Sequence, residues 1–163
     1  MGVLDGQRFE PFLKALHPSK AFKESLLVFD PGETTGLAFF VGPKVVFANQ
    51  VATPSPAKFW TQFDILVQHL PPDRIIYENY RVYGWKRDEH AWAELHTPKL
   101  IGAIEVLASV YGIPVVSQMA HQPKQFCNDD KLEEWGLYAP GLRHGRDAIR
   151  HGCYYLMFGQ KEG

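Results

Sequence analysis

Ser25-Leu-Leu-Val-Phe-Asp30-Pro-Gly-Glu-Thr-Thr-Gly36-Leu-Ala-Phe-Phe-Val41 contains two apolar runs around one acid and one turn. An acid that ends a buried strand is costly unless it faces a metal or a donor. Pro31, Gly32 and Gly36 place a reversal directly after it, so the second run returns antiparallel beside the first. A carboxylate fixed on a rigid sheet edge is well placed to hold a divalent cation. Asp30 therefore raises both a fold question and a chemical one.

Outward from this hairpin, the sequence predicts strands at 25–30, 36–41 and 44–51, with Gly42-Pro43 as the second turn of an antiparallel meander. Pro54 and Pro56 break the chain, and Phe59, Phe63, Leu66, Val67 and Leu70 follow at helical spacing until Pro71-Pro72. A fourth strand, Arg74-Ile-Ile-Tyr-Glu78, again ends in an acid. Thr97-Pro98 reads as a helix cap and first helical position, with Ile101, Ile104, Leu107, Ala108 and Tyr111 on one side and Gly112 as the stop. Ile113-Pro-Val-Val116 is the fifth strand, 122–136 is helical in parts, and a last helix spans roughly 143–158. The order βββαβαβα defines an α/β domain, a five-stranded mixed sheet with helices on both faces. Residues 25–163 form this domain. Residues 1–24 are an extension in which Phe9, Phe12, Leu13 and Leu16 line one face of a short helix, packed on the domain or on a partner subunit.

Composition narrows the function classes. The chain has 163 residues, 45% of them hydrophobic, which is enough core for one domain to fold alone. A net charge of −1 means that any nucleic-acid surface must be local. Cys127 and Cys153 lack metal spacing and suit a reducing compartment. With no apolar run long enough to span a membrane and no basic-then-apolar leader in MGVLDGQRFE, the expectation is a cytoplasmic protein without a membrane partner.

The chemistry-bearing residues recur at the ends of these elements. Asp30 and Glu78 both close predicted strands, and if those strands are parallel neighbours the carboxylates emerge side by side. In His144-Gly-Arg-Asp147-Ala-Ile-Arg-His151, at about 100° per residue, His144, Asp147 and His151 fall within roughly 60° of one another. Asp147 could instead be a first-turn acid favouring the helix dipole, and Glu78 a solvated strand end. Taken together, a site rich in hard oxygen ligands selects Mg²⁺, with Mn²⁺ able to substitute, over a structural zinc. His151 is expected to hydrogen-bond behind such a site rather than to bind metal.

DPGETTG, IIYEN and HGRDAIRHG, in this order and spacing, resemble the RuvC-type Holliday junction resolvases of the ribonuclease H-like superfamily, especially their bacteriophage members. The resemblance runs from residue 25 to about 158. It implies a ribonuclease H-like fold and a homodimeric endonuclease that nicks four-way junctions symmetrically, with other branched DNA as further candidate substrates, leaving 5′ phosphate and 3′ hydroxyl ends. The family's ligands fall on Asp30, Glu78, His144 and Asp147, which would serve two ions per site by two-metal phosphodiester hydrolysis. His121-Gln-Pro-Lys124-Gln-Phe126 is similar to the family's basic stretch, which puts Lys124 near substrate phosphates. The helix around Leu100 to Ala108 resembles the one that builds the family's dimer. The segment from Asn128 to Pro140 departs from the family in being shorter and more acidic. Should the chain be phage-encoded, its compartment is the host cytoplasm.

DNA contact is expected from Tyr80, Arg81, Tyr83, Trp85, Lys86 and Arg87, where basic and aromatic side chains alternate as phosphate contact plus stacking requires. The same residues also fit a lid packed on the domain. Arg143, Arg146 and Arg150 lie on a stripe beside the His/Asp face and either reach phosphates or pair with nearby acids. Three other functions fit parts of the sequence. Another ribonuclease H-like nuclease would act on branched DNA or RNA–DNA hybrids. A catalytically silent junction-binding module would keep the surface and lose the chemistry. An actin-like ATPase would use the acid–Gly/Thr turn for phosphates, but it needs two such domains and has no place for the terminal His-x-x-Asp helix.

Overall fold

A computed structural model describes residues 3–80 and 96–159. Among them, β1 (Ser25–Asp30), β2 (Thr34–Val41), β3 (Lys44–Ala52), β4 (Arg74–Glu78) and β5 (Val115–Gln118) form one sheet in the order β3-β2-β1-β4-β5. β1 pairs antiparallel with β2 and parallel with β4; β2–β3 is antiparallel and β4–β5 parallel. The mixed five-stranded sheet and its helices are those expected of the ribonuclease H-like fold.

The alternation of side chains in β1 and β2 explains why both faces need cover. Leu26, Val28, Ala38 and Phe40 point into one core with Ile76, Ala148, Ile149 and Leu156. Leu27, Phe29, Leu37 and Phe39 point into the other with Phe59, Phe63, Ile104 and Leu107. The second face is covered by α2 (Pro56–His69) and α3 (His96–Val110). The first is covered by α1 (Phe9–Leu16), α5 (Asp129–Trp135) and α6 (Arg143–Phe158), with α4 (His121–Phe126) packed on α6. In α1, Phe9 and Leu13 are fully buried, and the Phe9 and Trp135 rings lie 4.8 Å apart. Leu4 bridges Val45 of β3.

Boundaries differ from the sequence expectation most at three places, beyond one-residue shifts at the end of β3 and the start of α4. β2 begins at Thr34, because Thr34 and Thr35 already pair with Ala52 and Val51. Gly36 is therefore a strand residue opposite Asp30, not part of the turn. α3 begins at His96, one residue ahead of the expected cap, since Pro98 in a first turn has no helical N–H partner to lose. β5 lies two residues further on than 113–116. Gly112, at φ +65°, ends α3 by letting Ile113 N–H return to Ala108 O (2.8 Å), and the pairing with β4 starts only after Pro114. No helix among the described residues is long and apolar enough to cross a membrane.

Candidate metal centre and nucleic-acid interface

Phe29 of β1 lies beside Tyr77 of β4, so the next residues, Asp30 and Glu78, leave neighbouring parallel strands at the same end of the sheet. Gln118 closes β5 beside Glu78. The start of α6 is set onto this end by contacts with the β2–β3 hairpin. His144 N–H, which has no partner within the helix, donates to Gln50 Oε1 at 3.0 Å. A Cβ on Gly36 would overlap the carbonyl of His144, and one on Gly145 would lie 3.1 Å from Asn49 O. These two glycines let the helix backbone rest directly on the strands.

The turn after Asp30 is held from beneath. Thr35 and Thr53 are buried, their hydroxyls lie 2.6 Å apart, and Thr53 Oγ1 donates to Gly32 O at 2.6 Å. His96 Nε2 donates to Thr53 O at 2.8 Å, which ties the start of α3 to the same knot.

One ligand atom from each of Asp30, His144 and Asp147 lies within 4.8 Å of the other two. His144 Nδ1 is 3.2 Å from Asp30 Oδ2. Glu78 stands outside this trio. It shares a hydrogen bond with Asp30, and its Oε2 meets His151 Nε2 at 3.0 Å. His151 is 1% exposed and its Nδ1 faces Gln118 Oε1 at 2.8 Å. Asp147 Oδ1 is 3.5 Å from Arg150 Nε, and Arg150 also pairs with Asp129 at the start of α5.

The two strand-end acids titrate apart. Burial pushes Asp30 up to about 8, with the charges of Glu78 and Asp147 adding and Lys124 offsetting part. Burial pushes Glu78 the same way, but the hydrogen bond and charge of His151, with Lys124, outweigh it and hold Glu78 below the usual range. Asp30 thus carries the proton and Glu78 the charge. Two carboxylates and an imidazole converging in a half-buried cleft, with Glu78 beside Asp30, match the donor set of a divalent cation.

This cleft is a cavity of about 460 Å³ lined by Asp30, Glu33, Lys124, Arg143, His144 and Asp147. Lys124 and Arg143 thus flank the acids, whereas Arg146 does not. Its Nη1 donates to Ala139 O at 2.9 Å, its guanidinium lies 4.8 Å from the Tyr138 ring centroid, and its Nε is 3.8 Å from Asp129. Of the two readings of the arginine stripe, pairing with nearby acids describes Arg146 and Arg150. Tyr80 follows β4, with its N–H on Asn79 Oδ1 at 2.9 Å. Arg81, Tyr83, Trp85, Lys86 and Arg87 lie outside the described residues. Sequence reasoning missed Gln50 and Gln118, each a lone polar residue outside any motif.

Strand order, parallel acids and the crossing final helix are the architecture of a RuvC-type, ribonuclease H-like fold. Thermus thermophilus RuvC in complex with a Holliday junction substrate matches at a TM-score of 0.69 and 18% identity, over 83% of this chain and 94% of that one. A second Thermus thermophilus RuvC structure matches at 0.66 and 16%, over 83% and 95%. The yeast mitochondrial Holliday junction resolvase Ydc2 matches at 0.54 and 11%, over 91% and 84%. The sequence matches no protein-family model and no curated protein, so the likeness is one of fold.

Proposed function

We propose that this chain is a divalent-metal-dependent, structure-selective DNA endonuclease that resolves four-way junctions by paired symmetric nicks. The observation that carries this reading is the convergence of Asp30, His144 and Asp147 at the sheet end where Glu78 also emerges. Its support from outside is the fold shared with RuvC, one of whose structures holds a Holliday junction substrate.

Asp30, Asp147 and His144 would hold the cation, with Glu78 completing the set. Held there, Mg²⁺ or Mn²⁺, two ions per site, would supply Lewis-acid activation of water and charge stabilisation for phosphodiester hydrolysis. The protein's own part is positioning. Lys124 and Arg143, which line the cleft, would contact phosphates of the bound strand, and the turn from Pro31 to Glu33 walls the cleft. His144, bonded to Asp30, is placed to orient a ligand or water at its ring. Two copies of the site would suit two symmetric cuts. Homodimerisation through α3 is supported by Val106 and Val110, apolar side chains that are 55% and 61% exposed. Action in the cytoplasm, the host's if the chain is phage-encoded, belongs to the same reading.

The test is cleavage of a synthetic four-way junction, a fork, a linear duplex and an RNA–DNA hybrid in Mg²⁺ by wild type, Asp30→Asn and Asp147→Asn. Wild type should nick the junction in pairs. Each variant should lose roughly a hundredfold or more in rate, because several kcal/mol of charge stabilisation depends on these ligands. Binding without nicking by wild type would point to a silent junction-binding module. Preferential cutting of an RNA–DNA hybrid would point to a different nuclease of the same fold.

A further inference from the structure

The acid that ends β4 is backed by a chain of side chains that the proposed chemistry does not itself require. Glu78 Oε2 meets His151 Nε2 at 3.0 Å, and His151 Nδ1 meets Gln118 Oε1 at 2.8 Å. The three residues come from β4, α6 and β5. Nε2 faces a carboxylate oxygen and Nδ1 an amide oxygen, so the ring is held at both of its nitrogens. Rotating the buried ring by half a turn would exchange nitrogens for carbons and break both contacts, leaving polar atoms without partners. Gln118 is itself fixed by the sheet. It lies beside Glu78 in the parallel register, and its carbonyl accepts from Asn79 N–H at 2.8 Å.

We infer that Gln118 is a positioning residue for the metal centre: through its bond to His151 it sets the ring that aims the Glu78 carboxylate at Asp30. The inference rests on the metal-site reading above. It extends that reading to a residue that touches neither DNA nor cation. Outer partners of this kind hold a ligand in one rotamer, and their loss characteristically weakens metal affinity or activity about 10–100-fold while the ligand set stays intact. The sheet places Gln118 for this task because β5 starts after Pro114, which makes it the last strand residue. A register two residues earlier would put Val116 there.

The experiment compares wild type with Gln118→Met, which keeps length and loses the acceptor, and Gln118→Glu, which keeps an acceptor. Mn²⁺ binding is measured directly by calorimetry, and junction cleavage as a function of Mg²⁺ concentration. Gln118→Met should bind Mn²⁺ about 10–100-fold more weakly and need correspondingly more Mg²⁺ for half-maximal cleavage, with junction affinity in EDTA unchanged. Gln118→Glu should recover most of the affinity. Should melting curves in EDTA show that Gln118→Met does not fold, Gln118→Asn carries the same expectation, because it shortens the reach by one methylene. Mn²⁺ affinity within twofold of wild type in the folded variant, with Asp147→Asn clearly weakened, would overturn the role of Gln118 and leave the metal site standing. Wild-type Mn²⁺ binding in both Gln118→Met and Asp147→Asn would overturn the metal-site reading and this inference with it.

Discussion

Gly36 gives up its side-chain space to the backbone of His144: a Cβ on residue 36 would overlap the His144 carbonyl. The opposing partner of Gly36 across β1–β2 is Asp30. One glycine therefore sets the distance between the first-strand acid and the helix that brings His144 and Asp147 to it. Its backbone does not need a left-handed conformation. What matters at this position is room, not turn-forming ability.

Gly36→Ala should consequently harm the site more than the fold. Overpacking of this kind typically costs about 1–3 kcal/mol, a drop of a few degrees in Tm for a domain of this size. The start of α6 would be pushed off β2, separating His144 and Asp147 from Asp30. Cleavage of a four-way junction should fall more than tenfold even at temperatures where circular dichroism shows the variant folded. A wild-type rate would show that the close approach does not set the ligand geometry.

Asp30 makes the metal-free protein sensitive to alkali. Its folded value, about 8, lies above its ordinary 3.8, so in this window the folded state binds more protons than the unfolded one. Stability from this group is complete below about pH 4 and is lost as pH rises through 8. Glu78, shifted down, acts in the opposite sense and only at lower pH, where stability is lost as the medium acidifies. In EDTA, Tm should fall between pH 5 and pH 8.5. Asp30→Asn should flatten that fall and melt higher than wild type at pH 8. Parallel melting curves for the two proteins would contradict this.

Cation binding must displace the proton that Asp30 holds. Affinity for Mg²⁺ or Mn²⁺ should therefore rise as pH increases from 6 to 8, by up to about tenfold per unit for one proton released, and level off above 8. Calorimetry in two buffers of different ionisation enthalpy would count the proton. Binding with no proton release at pH 7 would mean that Asp30 is already ionised there.

Lys124 and Arg143 flank the acids, so each should contribute a phosphate contact. Replacing either with alanine should weaken junction binding similarly for any sequence and reduce the slope of log K against log salt by about 0.9. Arg146→Ala should leave that slope unchanged and lower stability instead, since its guanidinium is spent on Ala139, Tyr138 and Asp129. Fluorescence anisotropy across a salt series in EDTA separates the two outcomes.

Much of this was legible because the pattern repeats. Leu26 to Phe29 and Leu37 to Phe40 are apolar at every position, which marks strands covered on both faces, and Asp30 and Glu78 stand out because each ends such a run. The spacing of His144, Asp147 and His151 placed them on one stripe because a helix has a fixed pitch. The supports were not legible. Gln50 and Gln118 are single polar residues whose partners lie 94 and 33 positions away, and no local period encodes such a contact. Gly36 follows two threonines and reads as part of the turn, because a sequence does not show that a helix backbone more than a hundred residues later occupies its space. The side of α6 taken by Arg146 depended on Asp129 and Ala139, whose positions only the packing of α5 reveals.

The bond from His144 to Asp30 spans 114 residues. During synthesis the strands that carry Asp30 and Glu78 leave the ribosome long before α6 exists. A chain interrupted between Glu78 and Asp147 carries both strand-end acids and no complete ligand set. Closing a loop this long also carries an entropic cost that the contact must repay during folding. Under the proposed function, cutting competence would be the last property the molecule acquires. Partly made or partly folded copies would be harmless to the DNA around them.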